Sequence, residues 1–164
     1  MVAMSVLAVG LTGMMALLNQ SIGLNREVAN DFTGTYLAAE GIEVAKNLLQ
    51  GNFIRQLRGD PVVWDEGFSD GVYEIDYATQ SLPSPLSPIA TPQTLSYDPS
   101  TNLFSYFAGS GTQATSFTRE VALTRMNADE IRVVARVAWR ARGGGVAETV
   151  LEDHFYNWVG VPTP

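Results

Sequence analysis

Six carboxylates crowd between residues 60 and 76: Asp60, Asp65, Glu66, Asp70, Glu74 and Asp76. Clustered carboxylates suit Ca2+, but calcium loops place oxygen ligands at fixed intervals around a tight turn. The segment DEGFSDG lacks that alternation, so a solvated loop rim is expected and no metal ligand is assigned. His154 is the only histidine, and one imidazole with no nucleophile placed beside it does not make a Ser–His–acid triad. Arg132, Arg136, Arg140 and Arg142 form a stripe that could meet phosphates. Nucleic-acid stripes, however, are unpaired and interleaved with exposed aromatics, and the formal charge of the chain is −7. The glycine runs 109–111 and 143–145 lack the strand, spacing and following helix of phosphate loops. The 164 residues include no cysteine, which excludes disulfide and thiol chemistry. No catalytic residue, cofactor or nucleic-acid partner is expected, and the chain reads as a non-enzyme.

The element that must position everything else is an N-terminal helix over residues 1–50. Residues 1–18 carry no charge, and the first charged residue is Arg26. At helical rise such a run spans about 27 Å, near the thickness of a bilayer core, so residues 1–25 belong in lipid or inside an assembly. A cleavable signal is not expected, because the run has no basic start and its helix continues into an amphipathic half, residues 26–50. There Leu37, Val44, Ala45 and Leu48, with Gly41 between them, form a stripe for a core, with Ile42 and Leu49 at its edge. Glu40, Glu43, Lys46, Asn47 and Gln50 face water. Gly51 sits where an αL cap would end the helix.

Residues 51–164 then suffice for one antiparallel β head. Val72 to Tyr77 alternates, placing Tyr73, Ile75 and Tyr77 inward and Glu74 and Asp76 outward. Residues 79–94, rich in Pro and Ser, predict an exposed loop open to glycosylation. Residues 94–97 and 103–107 flank a turn and predict a hairpin, 109–116 a flexible link, and 117–125 a strand with Phe117, Val121 and Leu123 inward. Residues 130–142 put Ile131, Val133, Ala135, Val137 and Trp139 on one face and the arginines on the other, with 146–158 returning beyond the glycine turn. If Gly143–Gly145 sets the register, Arg140 lies opposite Glu148 and Arg136 opposite Glu152, which neutralises the stripe. Asp153 would then point inward unless a bulge shifts it, and His154 outward beside Arg132 and Arg136.

Specific stretches resemble the type IV pilins and their pilin-like relatives. MVAMSVLAVGLTGMMALL is similar to the apolar segment of a processed pilin, and YLAAEGIEVAKNL to the pilin helix where it meets its head. Phe117-Thr118-Arg119-Glu120-Val121, VVARVAW and Phe155-Tyr156-Asn157-Trp158 resemble the last strands of one bacterial subgroup. The resemblance implies an α+β pilin fold, a long N-terminal helix packed on an antiparallel sheet. It implies a structural, adhesive subunit of an extracellular type IV pilus filament, held in the inner membrane before assembly. Its partners would be copies of itself, the pilus assembly machinery and a prepilin peptidase acting on a precursor whose N-terminus is then methylated; the leader and first mature residues would precede Met1. Filament packing would fall to Val2, Val6, Leu7, Val9, Leu11, Met14, Met15, Leu17, Leu18 and Ile22, with Gly10 and Gly13 able to loosen the helix. Leu37, Val44, Leu48, Val133, Val137 and Trp139 would join helix to sheet. The alternatives are a minor pilin or a pseudopilin of a pilus or type II secretion system, and a membrane-tethered binding domain that never polymerises.

Overall fold

Helix α1 runs unbroken from Val2 to Leu57 in the computed structural model, which describes residues 2–87 and 91–158 except the side chains of Val2, Ser5, Val6 and Ala8. Gly51, expected as the cap, is an interior residue. The helix continues because Leu49 and Phe53 are both buried, with the Phe53 ring stacked 6.2 Å from that of Trp64. Burying one such aromatic outweighs the roughly 1 kcal/mol that a helical glycine costs. Asn52 ties this last stretch down, donating to the carbonyls of Trp64 (3.2 Å) and Glu66 (2.8 Å). The true cap is Gly59 at φ 88°. Its N–H meets the Gln56 carbonyl at 2.9 Å and the Asp60 N–H meets that of Arg55 at 3.1 Å, the paired bonds of a Schellman ending.

Six antiparallel strands follow: β1 (Gly71–Tyr73), β2 (Thr94–Asp98), β3 (Leu103–Ser105), β4 (Gln113–Asn127), β5 (Glu130–Arg140) and β6 (Val146–Tyr156). Their order is β3-β2-β4-β5-β6, and β1 shares with β2 the outer edge of β4. One sheet face packs on α1, giving a two-layer α+β architecture. The helix contributes Leu37, Ala38, Ile42, Ala45, Leu49 and Phe53 to the shared core. The facing strands contribute Phe117, Val121, Leu123, Phe155 and all five inward residues read from β5.

The helix sits about one residue round from the expected stripe. Ile42 and Leu49 are fully buried, whereas Val44 and Leu48 are half-buried flankers. The reason is steric: Gly34, Ala38, Gly41 and Ala45 turn their small faces to the sheet so that large sheet residues come close. A Cβ on Gly34 would stand 2.4 Å from the Trp139 ring, and one on Gly41 would stand 3.0 Å from a Val121 methyl.

Strand β1 is shorter than alternation suggested. Tyr73 and Ile75 are buried, but Tyr77 is exposed and Asp76 turns inward. Asp76 Oδ1 accepts from the Ala78 N–H (3.1 Å) and Thr79 hydroxyl (3.2 Å) while Oδ2 accepts from the Tyr106 N–H (3.1 Å). These local bonds compete with a ladder and end the strand. The hairpin of β2 and β3 forms as expected around Asn102 at φ 59°. Strand β4 starts at Gln113, inside the expected link, because it pairs Gln113 and Ala114 with Tyr97 and Ser96.

The β5–β6 register differs from the expected one by two residues. Arg140 lies opposite Val146, Ala138 opposite Glu148 and Val134 opposite Glu152. The Ala141 N–H bonds the Gly145 carbonyl at 2.8 Å, so the turn is Arg142-Gly143-Gly144 and Gly145 belongs to the returning side. Gly143 (φ 100°) and Gly144 (φ 93°) supply the left-handed backbone that this position needs. A slip of two preserves the faces, so Asp153 stays on the helix-facing side with no bulge, opposite Val133. It is tolerated there because β6 is an edge strand and Asp153 borders an open groove shared with Lys46 and Gln50.

Candidate functional site

Three features of the α1–sheet arrangement could act on a partner or hold the parts in place. The first is the free length of α1. From Met4 to Ile22 its described large apolar side chains are 53–80 % exposed, among them Leu7, Val9, Leu11, Met14, Met15, Leu17 and Leu18. They surround the helix rather than forming one stripe, and Leu24, Val28, Phe32 and Tyr36 extend the exposure to the sheet. The side chains of Val2 and Val6 lie outside the described residues. Gly10 and Gly13 are helical, with nothing within 4 Å of where a Cβ would stand. A helix apolar on all sides needs other apolar groups around it. Among the described residues no helix is long and apolar enough to cross a membrane.

The second feature holds α1 to the head. Arg119 lies inward between Phe117 and Val121 and is 0 % exposed. Its Nη1 donates to the Leu37 carbonyl (3.0 Å) and pairs with Glu40 (3.2 Å), and its Nη2 donates to the Ile75 carbonyl (2.6 Å). One guanidinium thus ties together α1, β4 and the segment after β1. The Tyr106 hydroxyl donates to the Arg119 carbonyl at 2.7 Å, and burial pushes that phenol up to about 12. The alternation 117, 119, 121, 123 already places Arg119 inward, and Glu40 lies nearly one turn beyond Leu37. An inward arginine demanding a carboxylate was the signal, which reading Glu40 as solvent-facing passes over.

The third feature is a cleft of about 790 Å3 where α1 leaves the sheet, lined by Arg26 and Glu27 on one side and by Trp139, Arg140 and Arg142 on the other. The Arg142 guanidinium lies against Gly23, so close that a Cβ there would overlap it. Glu148, the expected partner of Arg140, is engaged elsewhere. With the actual register, Glu148 pairs with Arg136 (3.7 Å) and Glu152 with Arg132. Both are diagonal contacts, so neither Arg136–Glu152 nor Arg140–Glu148 forms.

His154 is on the outer face with Arg132 and Arg136, as expected; the shifted register sets it opposite Arg132 and between two carboxylates, with Nδ1 2.7 Å from Glu130 and Nε2 3.2 Å from Glu152. Hydrogen bonding to Glu130 and then Glu152 raises its pKa. Bonds from Arg132 and then His154 hold Glu152 down at about 2. The 60–76 carboxylates are dispersed. Asp65 pairs with Arg125, Glu66 with Arg55 (3.2 Å), and Asp70 accepts the Arg125 N–H (2.7 Å). Among the described residues no group of three or more His, Asp or Glu side chains gathers as a metal ion would need.

Leu37, Val133, Val137 and Trp139 meet in one core, with Val44 and Leu48 packed against it. The described apolar residues of the free helix share one rod, and Ile22 among them lines the cleft where α1 leaves the sheet. No protein family, characterised protein or solved structure matches this chain.

Proposed function

We propose that the chain is a structural subunit of an extracellular type IV pilus filament, polymerising through the apolar half of α1. One observation carries this reading: on a single helix the described apolar side chains from Met4 to Ile22 are exposed around its circumference, while its last turns are committed to a sheet core. Burial of each large apolar side chain against a neighbouring helix is worth about 1.5–3 kcal/mol, so a few contacts per rod sustain a non-covalent polymer. Ala3, Gly10 and Gly13 let such rods approach closely. Before assembly the same segment would rest in the inner membrane, with the head outside. The role is mechanical and adhesive, without chemistry at a site. A pilin fold and processing by a prepilin peptidase belong to the same proposal, supported by the stretches quoted above.

Electron microscopy of filaments sheared from the source cells, with helical reconstruction to side-chain detail, tests it. Density that fits α1 along the axis and the β head outside is the expected result. Filaments built of another protein, with this chain rare in them, would move it to a minor pilin or pseudopilin. Monomers in detergent and no filament would make it a tethered binding domain.

A further inference from the structure

Ten Lys and Arg residues occur in the chain. Most of them have a carboxylate within 4 Å, but Arg26, Arg140 and Arg142 have none among the described residues, and Arg58 is the only other such cation. Those three converge on the cleft at the α1 exit, where Glu27 is the one acidic lining residue. In a chain of net charge −7 this is a concentrated positive pole.

The opposite end of the head has the reverse character. Trp64 Nε1 donates to the Ala128 carbonyl at 3.2 Å, which brings the β4–β5 turn over the loop that follows α1. Asp60, Asp65, Glu66, Asp70 and Asp129 are spread over this end, where Asp60 and Glu66 meet Arg55 and Asp65 meets Arg125. Among the described residues Asp70 and Asp129 accept from neutral donors, the Arg125 N–H (2.7 Å) and the Asn157 amide (3.0 Å), and neither has a cation within 4 Å. From Arg26 to Arg58 the two poles lie about 48 Å apart along α1.

We propose that the Arg26–Arg140–Arg142 cleft receives the acidic end of a second copy of this chain, the Asp70–Asp129 end, in a head-to-tail contact. A contact between different patches on identical subunits does not close on itself, and with a rotation at each step it generates an open helix. Apolar rods sliding on one another have little to fix their stagger, whereas opposed charges at the head ends set a register along the axis. The inference rests on the filament reading and supplies its axial specificity. An anionic lipid surface is the rival occupant, since Asn19, Ile22 and Gly23 at the base of the apolar segment also line the cleft.

Charge exchange in the full chain tests this, with filaments counted in sheared fractions and melting midpoints in detergent checking that each head folds. Arg140→Glu/Arg142→Glu and Asp70→Lys/Asp129→Lys each set like charges against each other and should lower filament yield by roughly tenfold or more. Combining the four substitutions restores opposite signs and should recover most of the yield. Half-variants that assemble like the wild type overturn the inference, as does a folded combined variant that stays unassembled. If Arg140→Glu/Arg142→Glu instead releases the subunit from phosphatidylglycerol-containing vesicles while leaving filament yield untouched, lipid is the occupant and the inference fails. Wild-type filaments under the same conditions keep the filament reading intact in each of those cases; their absence removes both.

Discussion

Replacing Arg119 by Met tests whether one buried cation holds helix to sheet. Methionine fills much of the same volume, so the cavity term is small and the loss is chiefly polar. A buried ion pair can be exchanged for apolar groups at little cost, which argues for a small effect. Against that, three elements converge on this guanidinium. Glu40 is 32 % exposed and regains water, and the Leu37 carbonyl lies within α1, where a helical N–H also serves it. The Ile75 carbonyl, on a fully buried residue, has no such substitute and loses a charged donor at 2.6 Å. Charged hydrogen bonds contribute about 1.5–3 kcal/mol, and a stranded buried acceptor costs about 1–3 kcal/mol. Relief of the unpaired Arg119 Nε offsets part of this. The expected net loss is about 2–4 kcal/mol, or a melting midpoint lower by roughly 4–16 °C for a chain this long. Thermal unfolding of the full chain in detergent, followed by tryptophan fluorescence, measures it. An unchanged or raised midpoint would refute the view that Arg119 clamps α1, and would class it with replaceable buried pairs.

Trp139→Ala should destabilise the head by about 3–5 kcal/mol in the same assay, since the ring fills the space over Gly34 and packs on Phe117 at 5.7 Å. A loss below 1 kcal/mol would contradict its place in the core. Leu11→Asp or Leu17→Asp should leave the melting midpoint of the head unchanged, because both side chains are exposed and far from it, yet abolish filaments by burying a charge between rods. Normal filament yield would sink the packing model. His154→Gln should matter in a pH-dependent way. The folded His154 pKa is raised, so its stabilisation is complete below the unfolded value near 6.5 and fades as pH climbs through the folded value. The depressed Glu130 and Glu152 contribute above about 4.5 and lose their share on acidification through their folded values. The difference between wild type and variant should therefore be largest near pH 5–6 and vanish at high pH; a difference independent of pH would contradict the charged bridge.

Period was the readable part of this chain. Strict alternation identified the inward face of β5 residue by residue, and the uncharged opening run identified the rod. What escaped was decided by contacts between distant segments. Gly51 failed as a cap because Phe53 found Trp64. Asp76 turned inward because the Tyr106 N–H was there to be met. The glycine turn allowed two registers differing by a pair of residues, and both keep the same face inward, so no pattern of apolar residues could choose between them. Gly41 and Ala45 were legible in the helical stripe, but Gly34 and Ala38 were not, and Gly34 proved to be the seat of Trp139 as Gly41 is of Val121. The basic cleft followed from the same register choice, which released Arg140 from Glu148.

The sheet first buries α1 at Gly34, so about 45 Å of rod separates that seat from Met4. Geometry then turns small angles into large displacements: a 10° rocking of the helix on its seat sweeps the tip through about 8 Å, roughly the spacing between two packed helices. The head therefore cannot aim its own tip finely enough to choose a groove. That choice falls to whatever surrounds the rod, and the seat at Gly34 and Gly41 acts as a fulcrum whose stiffness sets how widely an unpartnered copy searches.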